Sequence, residues 1–108
     1  MPSAMINPGT SPVTLINVFT VEPGKQDELV QILSEATEKE MKRLPGFVSA
    51  NIHKSFDGTR VVNYAQWRSK ADFEAMVKNS EVAPHMKAPD AIAKFVPHLY
   101  AVAAVHKV

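Results

Sequence analysis

The sequence contains no cysteine, which excludes disulfides, thiolate metal sites and thiol nucleophiles together. It has no apolar run long enough to cross a bilayer. No charge dominates either: twelve Lys and Arg stand against eleven Asp and Glu, and neither sign is concentrated in one stretch. A nucleic-acid surface or a polybasic membrane patch is therefore not expected. The cofactor signatures are missing as well, since the chain has no GxGxxG, no Walker loop, no GxSxG elbow and no HExxH. Its histidines, His53, His85, His98 and His106, lack the spacing of a metal-ligand set.

What is present fits one small domain. At 108 residues the chain buries only about two-thirds of its unfolded surface, so its core is modest. Met1 to Pro12 is rich in Pro, Ser, Gly and Asn. It lacks the basic start and apolar centre of a signal peptide, and residues 1–12 are expected to form a flexible arm ahead of a single domain over 13–108. A cytoplasmic location is the default expectation.

Val13 to Val21 concentrates Val, Thr, Ile and Phe, and predicts a strand. Alternation puts Val13, Leu15, Asn17, Phe19 and Val21 on one face and Ile16 and Val18 on the other. After Glu22-Pro23-Gly24 the period changes. Leu29, Ile32, Leu33, Ala36 and Leu44 recur at helical spacing, predicting a helix from Gln26 to Leu44 that Pro45-Gly46 stops. Phe47 to Lys54 and Thr59 to Arg68 read as two strands joined by a hairpin containing Asp57-Gly58. Ser69 is placed to cap a helix carrying Phe73, Met76 and Val77. A shorter helical piece is expected within Val82 to Ala93, and a last strand from about His98 to Val105.

The order strand, helix, strand, strand, helix, strand is the α+β ferredoxin-like βαββαβ arrangement. Right-handed crossovers put both helices on one face of a four-stranded antiparallel sheet. Ile16, Val18, Val48, Ala50, Ile52, Val62 and Tyr64 are expected on the other face, where a second copy of the chain would cover them.

The segment Val61-Val62-Asn63-Tyr64-Ala65-Gln66-Trp67-Arg68 combines an amide and an indole on one side of a strand. Asn63 and Trp67 are about 13 Å apart at ~3.3 Å per residue. If Tyr64 faces a partner, they face the helices. An amide buried there needs a partner, from the protein or from a ligand. The plainer reading makes Trp67 a core residue and leaves Asn63 satisfied internally. His53 shares the expected face of Phe47, Ser49 and Asn51, and its imidazole could take a proton from a phenol. Asn17 is an inward polar group in an apolar run, His85 follows Pro84 in an irregular stretch, and Met76 and Met86 read as core filler.

Asn63-Tyr64-Ala65-Gln66-Trp67 with Ser69 and Phe73, Pro45-Gly46-Phe47-Val48-Ser49-Ala50, and Asp57-Gly58-Thr59 together resemble the antibiotic-biosynthesis monooxygenase family. The likeness runs from about Val13 to Phe73. It implies a dimeric α/β barrel and oxidation of an aromatic polyketide to a quinone by molecular oxygen, with no metal, flavin or other prosthetic group. It further implies Asn63, Trp67 and His53 as catalytic residues, with Asn17, Phe73, Met76 and His85 lining the substrate pocket. At Phe73 the polyketide oxygenases carry a tyrosine, so a hydroxyl is lost here. A related haem-degrading branch of the same fold uses an inward asparagine, a helical tryptophan and a histidine. Asn17 and His85 fall near two of these places, but Met76 stands where the tryptophan belongs. A third reading is a non-catalytic dimer that binds a small hydrophobic metabolite.

Overall fold

The computed structural model describes residue 6 and residues 9–82 and 93–108. Four strands, β1 (Gly9–Val21), β2 (Phe47–Lys54), β3 (Arg60–Trp67) and β4 (Ala93–Val102), form one antiparallel sheet in the order β2-β3-β1-β4. Helix α1 (Gln26–Lys39) joins β1 to β2, and α2 (Lys70–Lys78) follows β3. This is the expected ferredoxin-like α+β arrangement. The expected helix within Val82 to Ala93 falls almost wholly outside the described residues.

Each element differs slightly from its expected bounds, and the reasons are local. β1 starts at Gly9 rather than Val13, and Gly9 reaches Val102 across a break in register before Thr14 pairs with Tyr100. α1 stops at Lys39, because Glu40 leaves the helical region (φ −123°, ψ −57°) and the chain tightens into a 3-10 turn over Met41–Arg43. β4 starts at Ala93 and runs through Pro97. A proline is tolerated there because β4 is an edge strand and has no outer partner to lack a hydrogen bond.

The largest correction concerns β2. Its pairing with β3 shifts between Phe47 and Ser49, so Phe47 faces Trp67 while Ser49 faces Gln66. One extra residue at such a bulge reverses the facing of everything after it. Ala50 and Ile52 therefore turn inward and pack against the core, against expectation. Ser49, Asn51 and His53 turn outward, while Val48 at the bulge stays half exposed.

The bulge follows a latch at Pro45-Gly46. Gly46 has φ +85°, and a Cβ there would fall on the Asp72 side chain. The Gly46 carbonyl accepts the Arg68 N–H at 2.7 Å. Asp72 is itself fixed, because Arg68 Nε and Nη2 donate to its two oxygens at 2.9 and 3.0 Å and Ser69 Oγ donates at 2.8 Å. Ser69 caps α2 as expected by accepting from the Asp72 N–H. The entry to β2 and the start of α2 are thus one rigid corner. Gly46→Ala introduces both a left-handed alanine and a collision with a pinned carboxylate, and should destabilise the fold by about 2–3 kcal/mol. Urea unfolding measures this as a lower midpoint at unchanged slope.

Acid should loosen the same corner. The Arg68 guanidinium and then the Ser69 hydroxyl hold the Asp72 carboxyl below its usual range. At the hairpin, hydrogen bonds from Thr59 and then Ser55 hold Asp57 down to about 2. A carboxylate whose folded pKa is depressed stabilises the protein above its unfolded pKa and stops doing so as pH falls through the folded value. Stability should therefore decline from about pH 4 towards pH 2. Asp57→Asn and Asp72→Asn should each flatten that decline in a pH series of thermal melts.

Candidate functional site

The helix-facing side of the sheet holds two separate apolar clusters. Under α2 lie Leu15, Ala65, Trp67, Met76 and Val82, joined by Val13, Phe47, Phe73 and Leu99. Under α1 lie Phe19, Val21, Leu29, Leu33 and Val61, joined by Ile52 and Ala93. Along β1 the boundary falls at Asn17, between Leu15 and Phe19. Along β3 it falls at Asn63, between Ala65 and Val61. These two asparagines are direct cross-strand partners, which brings their Cβ atoms to roughly 5 Å. A polar rung thus crosses the inner face at the seam between the clusters, flanked by Pro97 on β4 and Ile52 on β2.

Both asparagines of this rung carry an unmet demand. Asn17 Oδ1 and Asn63 Oδ1 are buried and have no hydrogen-bond partner among the described residues. A buried acceptor left without a donor costs about 1–3 kcal/mol, and here two lie side by side in an apolar layer. A carbonyl oxygen only accepts, so the chemistry the rung asks for is an O–H or N–H donor. A third orphan, Thr14 Oγ1, is on β1 with the opposite parity and belongs to the outer face.

Trp67 is two rungs from Asn63 on the same face and only 2% exposed. Phe47 meets its ring edge-on at 5.5 Å and Phe73 at 6.1 Å. The indole is thus clamped between two aromatic edges as one wall of the α2 cluster, which agrees with the plainer core reading of Trp67. Met76 is also in that cluster, 6% exposed. The structure therefore groups Asn17, Asn63, Trp67, Phe73 and Met76 on one side of the sheet.

It does not bring His53 to them. The bulge in β2 turns His53 to the outer face, opposite Val62, where it is exposed and its Nδ1 lies 3.1 Å from the Asn51 carbonyl. His85 lies outside the described residues. On the outer face Ser49 Oγ donates to Gln66 Oε1 at 2.8 Å, and Asn51 Nδ2 donates to the Tyr64 carbonyl at 3.0 Å. Sequence reasoning missed this polar row, although Tyr64 and Gln66 share a parity that was legible. It also singled out Asn17 and Asn63 separately without seeing that they face each other. Among the described residues no metal-ligating cluster exists, and no helix is long and apolar enough to cross a membrane.

The structure is thus a small ferredoxin-like α+β domain with a polar rung buried between two apolar clusters. The family model of the antibiotic biosynthesis monooxygenases matches residues 12–88, more than half of the chain, and the chain belongs to that family. It is 52% identical over 82 residues to the tetracenomycin-F1 monooxygenase of Streptomyces glaucescens, covering 76% of this chain and 73% of that protein. The fold is shared with SnoaB, a cofactor-independent oxygenase from Streptomyces nogalater. There the TM-score is 0.79 at 24% identity, over 88% of this chain and 96% of the other. It is also similar to a Streptomyces coelicolor monooxygenase, ActVA-Orf6, whose structure holds the ligand nanaomycin D. That match has a TM-score of 0.74 at 27% identity, over 91% of this chain and 95% of that one.

Proposed function

We propose that this protein is a cofactor-independent monooxygenase that oxidises a phenolic, hydroquinone-like aromatic polyketide to a quinone with molecular oxygen. The observation that carries this reading is the pair of buried, unpartnered carbonyl oxygens on Asn17 and Asn63. Phenolic hydroxyls are the donors those oxygens lack, and the apolar clusters on either side suit the faces of a ring system. Membership of the family and likeness to the tetracenomycin-F1 enzyme support the same class of substrate.

In this reading the hydroxyls donate to the two Oδ1 atoms, which fixes the ring and raises its electron density. Excluding water strengthens these contacts. Loss of the phenolic proton to solvent gives an electron-rich anion that passes one electron to oxygen, and the radical pair recombines as a hydroperoxide at a ring carbon that bears hydrogen. Loss of that hydrogen as a proton, with cleavage of the O–O bond, leaves one oxygen atom in the new carbonyl and releases the other as water, with every electron drawn from the substrate. His53 lies on the wrong face to accept the proton within its own chain, so it has no part in this scheme. A quinone carbonyl has no O–H to donate, so oxidation removes the contact that held the substrate.

The test is oxygen uptake by metal-free protein with an anthrone-type phenol and no additive. Uptake that tracks quinone formation supports the reading, and uptake equal to the uncatalysed background for a range of phenolic polycycles removes it.

We also propose that the protein acts as a homodimer through the outer sheet face. Ile16, Val18, Val62 and Tyr64 lie side by side there, continued on β4 by Val96 and Tyr100, which are 58% and 47% exposed. Light scattering should give the mass of two chains. Val18→Glu, which places a charge in the middle of that face, should give the mass of one with an unchanged helical spectrum.

A further inference from the structure

On the outer face of the sheet the side chains form rungs that cross all four strands. One rung is Ser49, Gln66, Thr14 and Tyr100, the next is Asn51, Tyr64, Ile16 and His98, and the third is His53, Val62, Val18 and Val96. None of these positions is Lys, Arg, Asp or Glu, in a chain that has twelve of the first two and eleven of the last two. Charge returns on the following rung with a single sign, as Arg60 and Lys94 on either side of Thr20. A face without fixed charge and apolar at its centre offers nothing that a second copy of itself would repel.

Two groups on this face can still acquire charge near neutral pH, and their settings differ. His98 stands on β4 between Val96 and Tyr100, which are 58% and 47% exposed and belong to the surface that a second copy would cover. Across the strand it has Ile16, and its ring lies 6.3 Å from that of Tyr100. His53 stands beside Val62, but its neighbours on that side of β2 are Asn51 and, past the strand's end, Ser55. Its Nδ1 is 3.1 Å from the Asn51 carbonyl. His98 is thus enclosed within the apolar surface, and His53 lies at its polar rim.

We propose that His98 makes this face a pH-sensitive contact between two copies of the chain, closed while the imidazole is neutral and opened when it takes a proton. This rests on the dimer proposed above and adds its control. In a symmetric pair each face meets a copy of itself, so the second chain brings the same residues whatever the angle between the sheets. Within the three rungs His98 therefore meets no carboxylate from either chain. The other titratable groups there are the imidazole of His53 and the phenols of Tyr64 and Tyr100, and phenols as a class carry no charge near neutral pH. Arg60 and Lys94 on the following rung are cations and add to the repulsion. An imidazolium shut between two apolar faces without a counter-charge is unfavourable, whereas on a separated chain it stands in water. Protons are therefore taken up as the chains part. The pair is at full strength above the ordinary imidazole range, about pH 6.5, and weakens as pH falls through it. Asp57 and Asp72 lose their contribution to the fold only at lower pH, so the chains part while still folded.

The test is sedimentation equilibrium at about pH 7.5 and about pH 5.5, either side of the imidazole range, with the helical spectrum recorded at both. Wild type should be paired at the higher pH and dissociate at least about tenfold more readily at the lower, since each pair holds two such imidazoles. His98→Gln keeps a polar side chain without the charge, and His98→Leu removes the polarity as well. Both should pair equally at the two pH values, while His53→Gln should respond as wild type does. A mass of one chain for wild type at both pH values overturns the dimer and the switch with it. Pairing as strong or stronger at the lower pH overturns the switch and leaves the dimer standing. A response that survives in either His98 variant, or vanishes in His53→Gln, overturns His98 as its source. Loss of pairing at the higher pH in both His98 variants also overturns the proposal, which requires a neutral side chain to be accommodated there.

Discussion

Replacing Asn63 by leucine should lower turnover by about two orders of magnitude while making the protein more stable. The two effects have one cause. Asn63 Oδ1 is buried with no donor among the described residues, and it sits between Ala65 and Val61, each packed into an apolar cluster. A leucine of similar shape removes the desolvation cost of that oxygen and bridges the two clusters, for a gain of about 1 kcal/mol. The same change deletes the contact that holds the phenol in register for reaction with oxygen, a positioning loss of about 10² in rate. Thermal melts and oxygen uptake on the same samples read both. A destabilised variant with full turnover would mean that Asn63 is internally satisfied and structural. Asn17→Leu should behave in the same direction, and the double variant should be less than additive in turnover because the two amides share one rung.

Trp67→Ala should have the largest effect on the fold itself, about 3–5 kcal/mol. Trp67 is among the largest fully buried side chains, and its removal leaves Phe47 and Phe73 without the ring that both meet edge-on. Set against a domain stability of about 5–15 kcal/mol, that loss takes away from roughly a fifth to all of it. Denaturant unfolding would show it, and activity would disappear with the fold. Trp67→Phe separates the roles, because it keeps an aromatic in the clamp and loses the indole N–H. If turnover falls much more than stability does, the indole acts in the reaction; if the two fall together, Trp67 is a wall.

Much of this architecture is legible in the residues, because alternation and helical spacing are local properties. Asn17 and Phe19 on one face of β1, Ser69 at the start of α2 and Asp57-Gly58 at the hairpin all follow from a few neighbouring side chains, and all stand where expected. The misplacement of His53, Ala50 and Ile52 has a single origin. Strand parity carries forward only until a bulge, and nothing in Phe47-Val48-Ser49 announces the extra residue there. Its cause is non-local: the Gly46 corner is fixed by Arg68 and Asp72, more than twenty positions away in sequence. The asparagine rung was hidden for the same kind of reason. Each amide's facing is set by its own strand, but their opposition depends on the β1–β3 register, which spans a helix and a second strand. The start of β4 was obscured by Pro97, whose place on an edge only the strand order reveals.

The central claim is that the Asn17–Asn63 rung is built for the hydroxyls of a reduced aromatic ring. The most direct measurement is an anaerobic titration with a phenolic hydroquinone and with its quinone, followed by the fluorescence of Trp67, the single tryptophan of the chain. The account predicts that the reduced form binds at least about tenfold more tightly, as an unmade hydrogen bond to a buried acceptor implies, and that the double variant Asn17→Leu/Asn63→Leu abolishes the difference. Equal affinity for the two forms, or a preference for the quinone, would contradict it.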